Sequence, residues 1–254
     1  MRHFIVISIL VTAFVLAACV ISAAAPQQNT TAPAMSAANA EQPCDHYRAL
    51  KEFDQAITCF QEAIRNEPRN PRLYNKLGLA QLSAGDYEAA RASFIKATKL
   101  DHNYPEAWND RGVVAYIDKD YRIAVKYFSK AIALNEGRPN FHVNLGITYF
   151  TMNQMDQAMV QYTRALELDP EALSHSSNTG LSAQLVTREE RAKMDFMMAK
   201  IYANMGNNDA CLESLRQAKD NGYASMKDVY KDECFSEIRK DPRLAEIVPP
   251  PLLK

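Results

Sequence analysis

The sequence predicts an all-α fold, a solenoid of stacked helical hairpins, and three observations carry this prediction. Small and aromatic residues recur every 34 positions, the apolar residues within each interval have helical spacing, and a glycine or polar break divides each interval in two. A period of about 20 to 50 residues is typical of repeat arrays. The recurring columns are Ala56, Ala90, Ala124 and Ala158; Phe60, Phe94, Phe128 and Tyr162; Ala63, Ala97, Ala131 and Ala165; and Gly78, Gly112 and Gly146.

Each period predicts one hairpin of two helices. In the second unit, Ala90, Phe94 and Ala97 lie at i, i+4 and i+7, which is one face of a helix. Gly78 and Ala90 face each other where the two helices cross, so the backbones approach and Phe94 fills the space beside them. The predicted units are residues 37 to 70, 71 to 104, 105 to 138 and 139 to 172.

A fifth unit, residues 192 to 225, continues the columns after an insertion. Thr187 and Glu190 have the spacing of a capping box, so a helix begins within the inserted segment, residues 173 to 191. Residues 173 to 186 form a long loop before it, either functional or simply packed against a neighbouring helix. The columns continue at Tyr202, Gly206, Cys211, Leu215 and Ala218.

The C-terminal segment, residues 226 to 254, predicts short helices that cap the array. An open-ended solenoid needs such a cap, because its last hairpin has no neighbour on one side. The apolar contacts expected for it are Phe235, Ile238, Leu244 and Ile247.

Residues 1 to 25 have the layout of an export signal, with one Arg, an apolar run from Phe4 and then small residues. Three interpretations stay open. In the first, residues 16 to 19 act as the bacterial lipobox that they resemble, and Cys19 is lipidated. In the second, signal peptidase I cuts near residues 22 to 24. In the third, the apolar run is not cleaved and stays as a membrane anchor. All three place the protein outside the cytoplasm, in the periplasm as a membrane-tethered lipoprotein or otherwise secreted.

Residues 26 to 43 are rich in Ala, Pro, Gln, Asn and Thr, a composition that predicts a flexible tether. The folded part then begins at residue 44 with a truncated first unit, and units one to four cover residues 44 to 172. Membrane contact is expected only through the N-terminal anchor, if the anchor is retained.

The charge balance argues against a nucleic-acid partner. Lys and Arg together number 29 and Asp and Glu 30, so the chain carries no broad field of either sign.

Four cysteines remain when Cys19 is set aside, an even number in an exported protein. Residues equally far from the turn of an antiparallel hairpin lie level with each other. By this criterion Cys44 pairs with Cys59, and Cys211 pairs with Cys234. Two disulfides are therefore expected, one at each end of the array, with buried free thiols as the alternative.

Candidate catalytic chemistry is sparse. The histidines have no metal-ligand spacing, and the sequence has no phosphate-binding glycine loop and no serine elbow. We expect His142 to be structural and the methionines of the fifth unit, at 194, 197, 198 and 205, to be core residues. His175 and the two serines after it lie on the long loop without an identifiable acid or base partner. The sequence therefore predicts neither an enzyme nor a cofactor or metal site.

The repeat resembles the tetratricopeptide repeat. The resemblance is carried by Trp108, Gly112, Tyr121, Ala124, Phe128 and Ala131 in the third unit, and by Tyr74, Leu77, Gly78, Tyr87, Ala90, Phe94 and Ala97 in the second. It implies a right-handed superhelix whose first helices line a concave groove for a protein or peptide. The implied groove positions are Arg72, Asn75, Leu79 and Leu82; Glu106, Asn109, Val113 and Tyr116; and Asn140, Val143, Ile147 and Phe150.

These groove residues suit an extended apolar segment of a partner. Asn75 and Asn109 are expected to hydrogen-bond its main chain, and burial against the next unit is the alternative for the apolar rows. An acidic C-terminal tail does not fit, because the residues that would form a carboxylate clamp are absent. The leading expectation is a non-catalytic scaffold of the bacterial cell envelope. A self-associating structural solenoid or an accessory subunit of an envelope enzyme are the alternatives.

Overall fold

The computed structural model describes residues 37–173 and 187–251, and all regular secondary structure in these residues is helical. The expected all-α solenoid is confirmed. The α-helices are α1 (Ala37–Ala49), α2 (Phe53–Asn66), α3 (Pro71–Ser83), α4 (Tyr87–Leu100), α5 (Pro105–Ile117), α6 (Tyr121–Leu134), α7 (Pro139–Thr151), α8 (Met155–Leu168), α9 (Arg188–Asn204), α10 (Asn208–Asp220) and α11 (Arg243–Ile247).

Consecutive helices pair as antiparallel hairpins, α1 with α2 through α9 with α10. The first helices of units two to four each begin with a proline, Pro71, Pro105 and Pro139. Proline suits this first position, because its missing N–H would have no partner inside the helix and its φ angle is already helical. The sequence therefore sets the start of each unit.

The small residues at the helix crossing make room for an aromatic ring, as predicted. A Cβ atom added at Gly78 would lie 2.5 Å from Cε1 of Phe94, and one added at Gly112 would lie 2.5 Å from Cε1 of Phe128. In the fourth unit the ring is Tyr162, and a Cβ on Gly146 would lie 3.2 Å from it. Any side chain at these glycines displaces the ring that closes the hairpin.

Residues 37 to 43, which were expected to belong to the tether, are helical and form part of the first hairpin, whereas residues 26 to 36 lie outside the described residues. Helix α1 begins at Ala37 and includes Pro43. The Glu41 carboxylate accepts a hydrogen bond from Lys76 Nζ at 2.8 Å and lies 3.5 Å from Arg72 Nη2. These contacts with α3 hold a segment whose own composition is poor in large apolar residues.

The disulfide between Cys44 and Cys59 is confirmed, with Cα atoms 5.3 Å apart, and it ties α1 to α2. The second expected disulfide is wrong, because Cys211 and Cys234 are free thiols. Beyond Gly222 the chain does not run back as one antiparallel helix. It forms short 3₁₀ helices at Met226–Tyr230, Glu233–Phe235 and Ile238–Lys240. Cys211 and Cys234 are equally far from the turn in sequence, but without a second antiparallel helix this no longer places them side by side.

The C-terminal segment packs on the last hairpin. Phe235, Ile238, Leu244 and Ile247 are all buried, as expected for a cap, in a cluster with residues of α9 and α10. The capping box at the start of α9 is confirmed, with the Thr187 hydroxyl accepting from the main-chain N–H of Glu190 at 3.1 Å. Among the described residues, no helix has both the length and the apolar character needed to cross a membrane.

Candidate functional site

The concave face of the array is formed by the first helix of each hairpin. Helix α3 contacts α5, and α5 contacts α7, whereas the second helices of successive hairpins approach each other less closely. Elements on the inside of a bend lie closer together than those on the outside. The array therefore curves with α3, α5 and α7 on its inner side, and this surface is the candidate binding face.

Polar pairs connect neighbouring first helices along this face at a constant sequence separation of 35. That separation is one more than the repeat, so each position pairs with the next position of the following unit. The helices are thus parallel with an offset of one residue. The pairs are Glu41 with Lys76 at 2.8 Å, Asn75 with Asp110 at 2.8 Å, Asn109 with Asn144 at 2.9 Å, and Tyr116 with Thr151 at 2.9 Å.

Four of these residues form one continuous chain, here called the polar ladder: Asn75, Asp110, Asn109 and Asn144. Asn144 Nδ2 donates to Asn109 Oδ1, and Asn109 Nδ2 donates to Asp110 Oδ1 at 3.0 Å. From the other side, Asn75 Nδ2 donates to Asp110 Oδ2. Both sets of donors converge on one carboxylate, so the polar ladder fixes three neighbouring helices to one another.

The Asp110 carboxyl is buried beneath the face, and burial raises its pKa from 3.8 to about 6. Removing a carboxylate from water disfavours its charged form, and the nearby carboxylate of Glu106 acts in the same direction. The hydrogen bonds from Asn75 and Asn109 and the charge of Arg48 oppose the shift. The negative charge is therefore held in place mainly by two amide donors.

Both ends of the polar ladder keep an unused acceptor. Among the described residues, neither Asn75 Oδ1 nor Asn144 Oδ1 has a hydrogen-bond partner, and both atoms are buried. A buried carbonyl oxygen without a donor costs free energy, roughly 1 to 3 kcal/mol in mutational series.

Half of the predicted groove residues are buried rather than open. Asn75 and Asn109, which were expected to hydrogen-bond a ligand, are each 3% exposed and donate within the polar ladder instead. Val113 and Ile147 are buried in the core, which agrees with the alternative interpretation that apolar groove residues are buried against the next unit. The buried positions are Asn75, Asn109, Val113, Val143, Ile147 and Phe150, and the open or half-buried positions are Arg72, Leu79, Leu82, Glu106, Tyr116 and Asn140.

The accessible apolar part of the concave face is a narrow strip, here called the apolar strip, made of Leu79, Leu82 and Tyr116. The Tyr116 ring rests against Tyr121, with ring centroids 5.3 Å apart, and its hydroxyl is held by Thr151. These two contacts hold the Tyr116 side chain in place.

Ion pairs border the concave face at the start of its helices. Arg72 lies 3.5 Å from Glu41, and Arg138 Nη2 lies 3.2 Å from Glu106 Oε1. The first pair joins α1 to α3, and the second joins α5 to Arg138, the residue that precedes α7, so this border is charged but locally balanced.

Models of the tetratricopeptide repeat match residues 45–105, 76–139, 139–172 and 192–220. These matches cover more than half of the chain. The chain belongs to the tetratricopeptide repeat family. No curated protein sequence matches it significantly.

Solved tetratricopeptide structures share this fold. A crystal structure of MamA protein is 20% identical over 78% of this chain and 95% of its own length, with a TM-score of 0.51. MamA from Desulfovibrio magneticus RS-1, residues 41 to the end, is 19% identical over 74% and 96%, with a TM-score of 0.51. The thermophilic TPR protein TTC0263 of Thermus thermophilus is 19% identical over 75% and 94%, with a TM-score of 0.50.

A cleft of about 750 Å³ interrupts the tetratricopeptide array between α8 and α9. Its apolar lining includes Met155, Met159, Phe196, Met197 and Tyr223. Helices α8 and α9 pack less closely than the equivalent helices of the other junctions, α2 with α3, α4 with α5 and α6 with α7.

The two lysines that line this cleft are ion-paired within the protein. Lys193 lies 2.8 Å from Glu189, and Lys200 lies 2.8 Å from Asp232. The cleft therefore combines apolar side chains with charged ones.

Other candidate chemistry in the tetratricopeptide units is structural where the structure describes it. His142 is buried, with its ring nitrogens 2.9 Å from Gln161 Oε1 and 3.1 Å from the carbonyl oxygen of Glu136. Met197 and Met198 are core residues as expected, whereas Met205 is exposed. The described residues contain no group of three or more His, Cys, Asp or Glu side chains able to hold a metal ion. Cys19 and His175 lie outside the described residues.

Two residues of the polar ladder were not predicted, namely Asp110 at its centre and Asn144, which donates to Asn109. The signal was present in the sequence, as polar residues 35 positions apart. Comparing the sequence with itself at the tetratricopeptide period of 34 aligns equivalent positions of successive units. Contacts between residues 35 positions apart are not detected in this way.

Proposed function

We propose that the protein is a non-catalytic interaction scaffold of the bacterial cell envelope. It binds an extended apolar segment of a partner polypeptide on the concave face of its tetratricopeptide array. The apolar strip supplies the contact surface, and the ion pairs at the border of the face orient the segment.

The observation that carries this proposal is the position of Leu79, Leu82 and Tyr116. They remain accessible on the inner side of the bend, while the polar residues beside them are engaged within the protein. A fixed wall with a few open apolar side chains binds a chain at low entropic cost, because little of the site has to be ordered.

An envelope location is supported by two features. Residues 1 to 25 have the composition of an export signal. The disulfide between Cys44 and Cys59 belongs to the kind of bond that persists in oxidising compartments and is rare in the cytosol.

The test is covalent capture from the native envelope. The full-length chain, carrying a photo-crosslinker at exposed Ser83 beside Leu82, is irradiated in intact cells. Replacing Leu82 and Tyr116 together with Ser is expected to lower the yield of the crosslinked partner at least about tenfold, since two apolar side chains are removed from the contact.

The matched control replaces Ile123 and Val160 with Ser, two side chains that are 45% and 63% exposed on the second helices. This variant loses a similar amount of exposed apolar surface away from the concave face, so its crosslinking yield should equal that of the wild type. Equal loss in both variants, or no loss in either, would refute the concave face as the binding site.

A further inference from the structure

Asp110 lies between two amide groups that both donate to it. Its Oδ1 accepts from Asn109 and its Oδ2 accepts from Asn75, which suits a charged carboxylate with two acceptor oxygens. A protonated carboxyl has one donor and one acceptor. When Asp110 takes up a proton on Oδ2, its O–H and the Asn75 N–H point at each other, and one of the two hydrogen bonds is lost.

Asn75 contains the group that repairs this mismatch. Its Oδ1 is buried and has no donor among the described residues. Half a turn about the last side-chain bond exchanges the amide oxygen and nitrogen, after which Oδ1 accepts from the protonated carboxyl. The turn breaks no hydrogen bond of Oδ1, because that atom makes none in the described residues, while Nδ2 gives up its bond to Asp110 and takes the buried place of Oδ1.

We propose that Asp110 and Asn75 form a proton-operated hydrogen-bond switch in the wall of the concave face, in which protonation of the carboxyl turns the Asn75 amide by half a rotation.

The other side of the polar ladder is less able to respond. Asn109 Oδ1 already accepts from Asn144, so turning the Asn109 amide would bring two N–H donors together unless Asn144 turned as well. Switching through Asn75 needs one amide to move, and switching through Asn109 needs two. The single movement is therefore the expected response.

Burial places the pKa of Asp110 in the mildly acidic range, and nearby charges modify it. The groups that act on Asp110 are Glu106 on its own helix and Arg48 on α1, and Asp110 in turn acts on the Tyr104 hydroxyl at the start of α5. Burial is the largest cause and raises the pKa of Asp110 to about 6. The native carboxyl therefore holds its proton more tightly than the unfolded chain does.

The switch regulates the concave face only if that face binds a partner, so this consequence rests on the proposed function. Covering a buried carboxylate with an apolar segment removes it further from water, which disfavours its charged form. Binding is therefore expected to be tighter when Asp110 is protonated.

The first experiment measures unfolding of the full-length chain without any partner. The native pKa is about 6 and the ordinary value is 3.8. The stabilising effect of the bound proton is thus complete at low pH and is lost as the pH rises through this window. Relative to Asp110→Asn, which cannot titrate, the unfolding equilibrium constant of the wild type should rise roughly 50-fold between about pH 4 and pH 7. A constant ratio would overturn the proposal.

The second experiment observes the amide itself. In nuclear magnetic resonance spectra, the Asn75 NH₂ signals are identified by their loss in Asn75→Ser. Cross-peaks from these protons to the Asp110 β protons should be strong at about pH 7.5 and weak at about pH 4.5. Asp110→Asn should show the weak pattern at both pH values, since the new amide can donate to a turned Asn75.

Persistence of the Asn75 cross-peaks at low pH, or their replacement by changes at Asn109 and Asn144, would overturn the assignment to Asn75. Neither experiment involves a partner, so a failure here leaves the crosslinking result unaffected. Conversely, failure of crosslinking leaves the switch intact.

Discussion

The two ends of the array are closed by different means. At the N-terminal end, the first hairpin is tied by the disulfide between Cys44 and Cys59. Its buried cluster is small and contains one large aromatic side chain, Phe60. At the C-terminal end, the last hairpin carries no disulfide in the described residues, and the chain after Gly222 folds over it.

This difference follows from how much apolar surface each end buries. The C-terminal cap places Val229, Phe235, Ile238, Leu244 and Ile247 against α9 and α10, so the hairpin gains the neighbour that a terminal repeat lacks. Burial raises the pKa of the Cys211 thiol to about 12, which keeps it protonated and unreactive. A terminal hairpin is thus stabilised either by a covalent tie or by an apolar cap.

The largest effect is expected from Phe235→Ala in the C-terminal cap. Phe235 is fully buried and its ring lies 5.6 Å from that of Phe196 on α9. Removing it leaves a cavity between the cap and the last hairpin, and the free energy of unfolding should fall by about 3 to 5 kcal/mol. Equilibrium unfolding in guanidinium chloride, monitored by circular dichroism, measures this change.

The control for this prediction is Met205→Ala, which removes a large side chain that is exposed at the end of α9. Its free energy of unfolding should lie within about 0.5 kcal/mol of the wild type. A loss below about 1 kcal/mol for Phe235→Ala would mean that the cap does not stabilise the C-terminal end.

The next largest effect is expected when Cys44 and Cys59 are both replaced by Ala. The disulfide closes a loop with a sequence separation of 15, and such a tie stabilises the native state by about 3 kcal/mol, chiefly by restricting the unfolded chain. Thermal unfolding measured with and without dithiothreitol should shift for the wild type and stay unchanged for the double variant.

Dithiothreitol also distinguishes the stabilisation of the N-terminal end from that of the C-terminal end. Phe235→Ala keeps the disulfide, so dithiothreitol should destabilise it further by about the same amount as the wild type, since distant changes add. If the reductant had no effect on the wild type, the N-terminal end would need another source of stability.

The sequence predicted the regular part of the fold because each hairpin repeats the same packing of two helices. A glycine opposite an aromatic residue, as in Gly112 with Phe128, fixes the crossing of two helices, and the period then fixes the rest. The disulfide at Cys44 was predictable for a related reason. Both cysteines lie on the helices of one antiparallel hairpin, where height can be counted from the turn.

Prediction failed where the structure depends on contacts outside that local pattern. The first part of α1 is held against α3 by the ion pairs of Glu41, whereas its composition alone predicted a tether. The predicted disulfide between Cys211 and Cys234 is wrong because the cap consists of short 3₁₀ helices whose direction the sequence did not specify.

The candidate site was only partly predictable for the same reason. Family positions place Asn75 and Asn109 on the concave face, but their partners lie on the next helix with an offset of one residue. Whether an asparagine on this face is open or engaged depends on that partner. Leu79, Leu82 and Tyr116 were expected on this face and are half-buried in the structure, whereas the buried carboxylate of Asp110 was not predicted.

The smallest effect is expected from Cys211→Ala. Cys211 lies in the column that holds Ala56, Ala90, Ala124 and Ala158 in the other four units, so alanine already fits this helix crossing. Losing one sulfur atom from a packed site should lower the free energy of unfolding by about 1 kcal/mol or less, with no dependence on dithiothreitol. A loss of about 3 kcal/mol that vanishes under reducing conditions would instead show Cys211 in a disulfide, and the two ends of the array would then be closed in the same way.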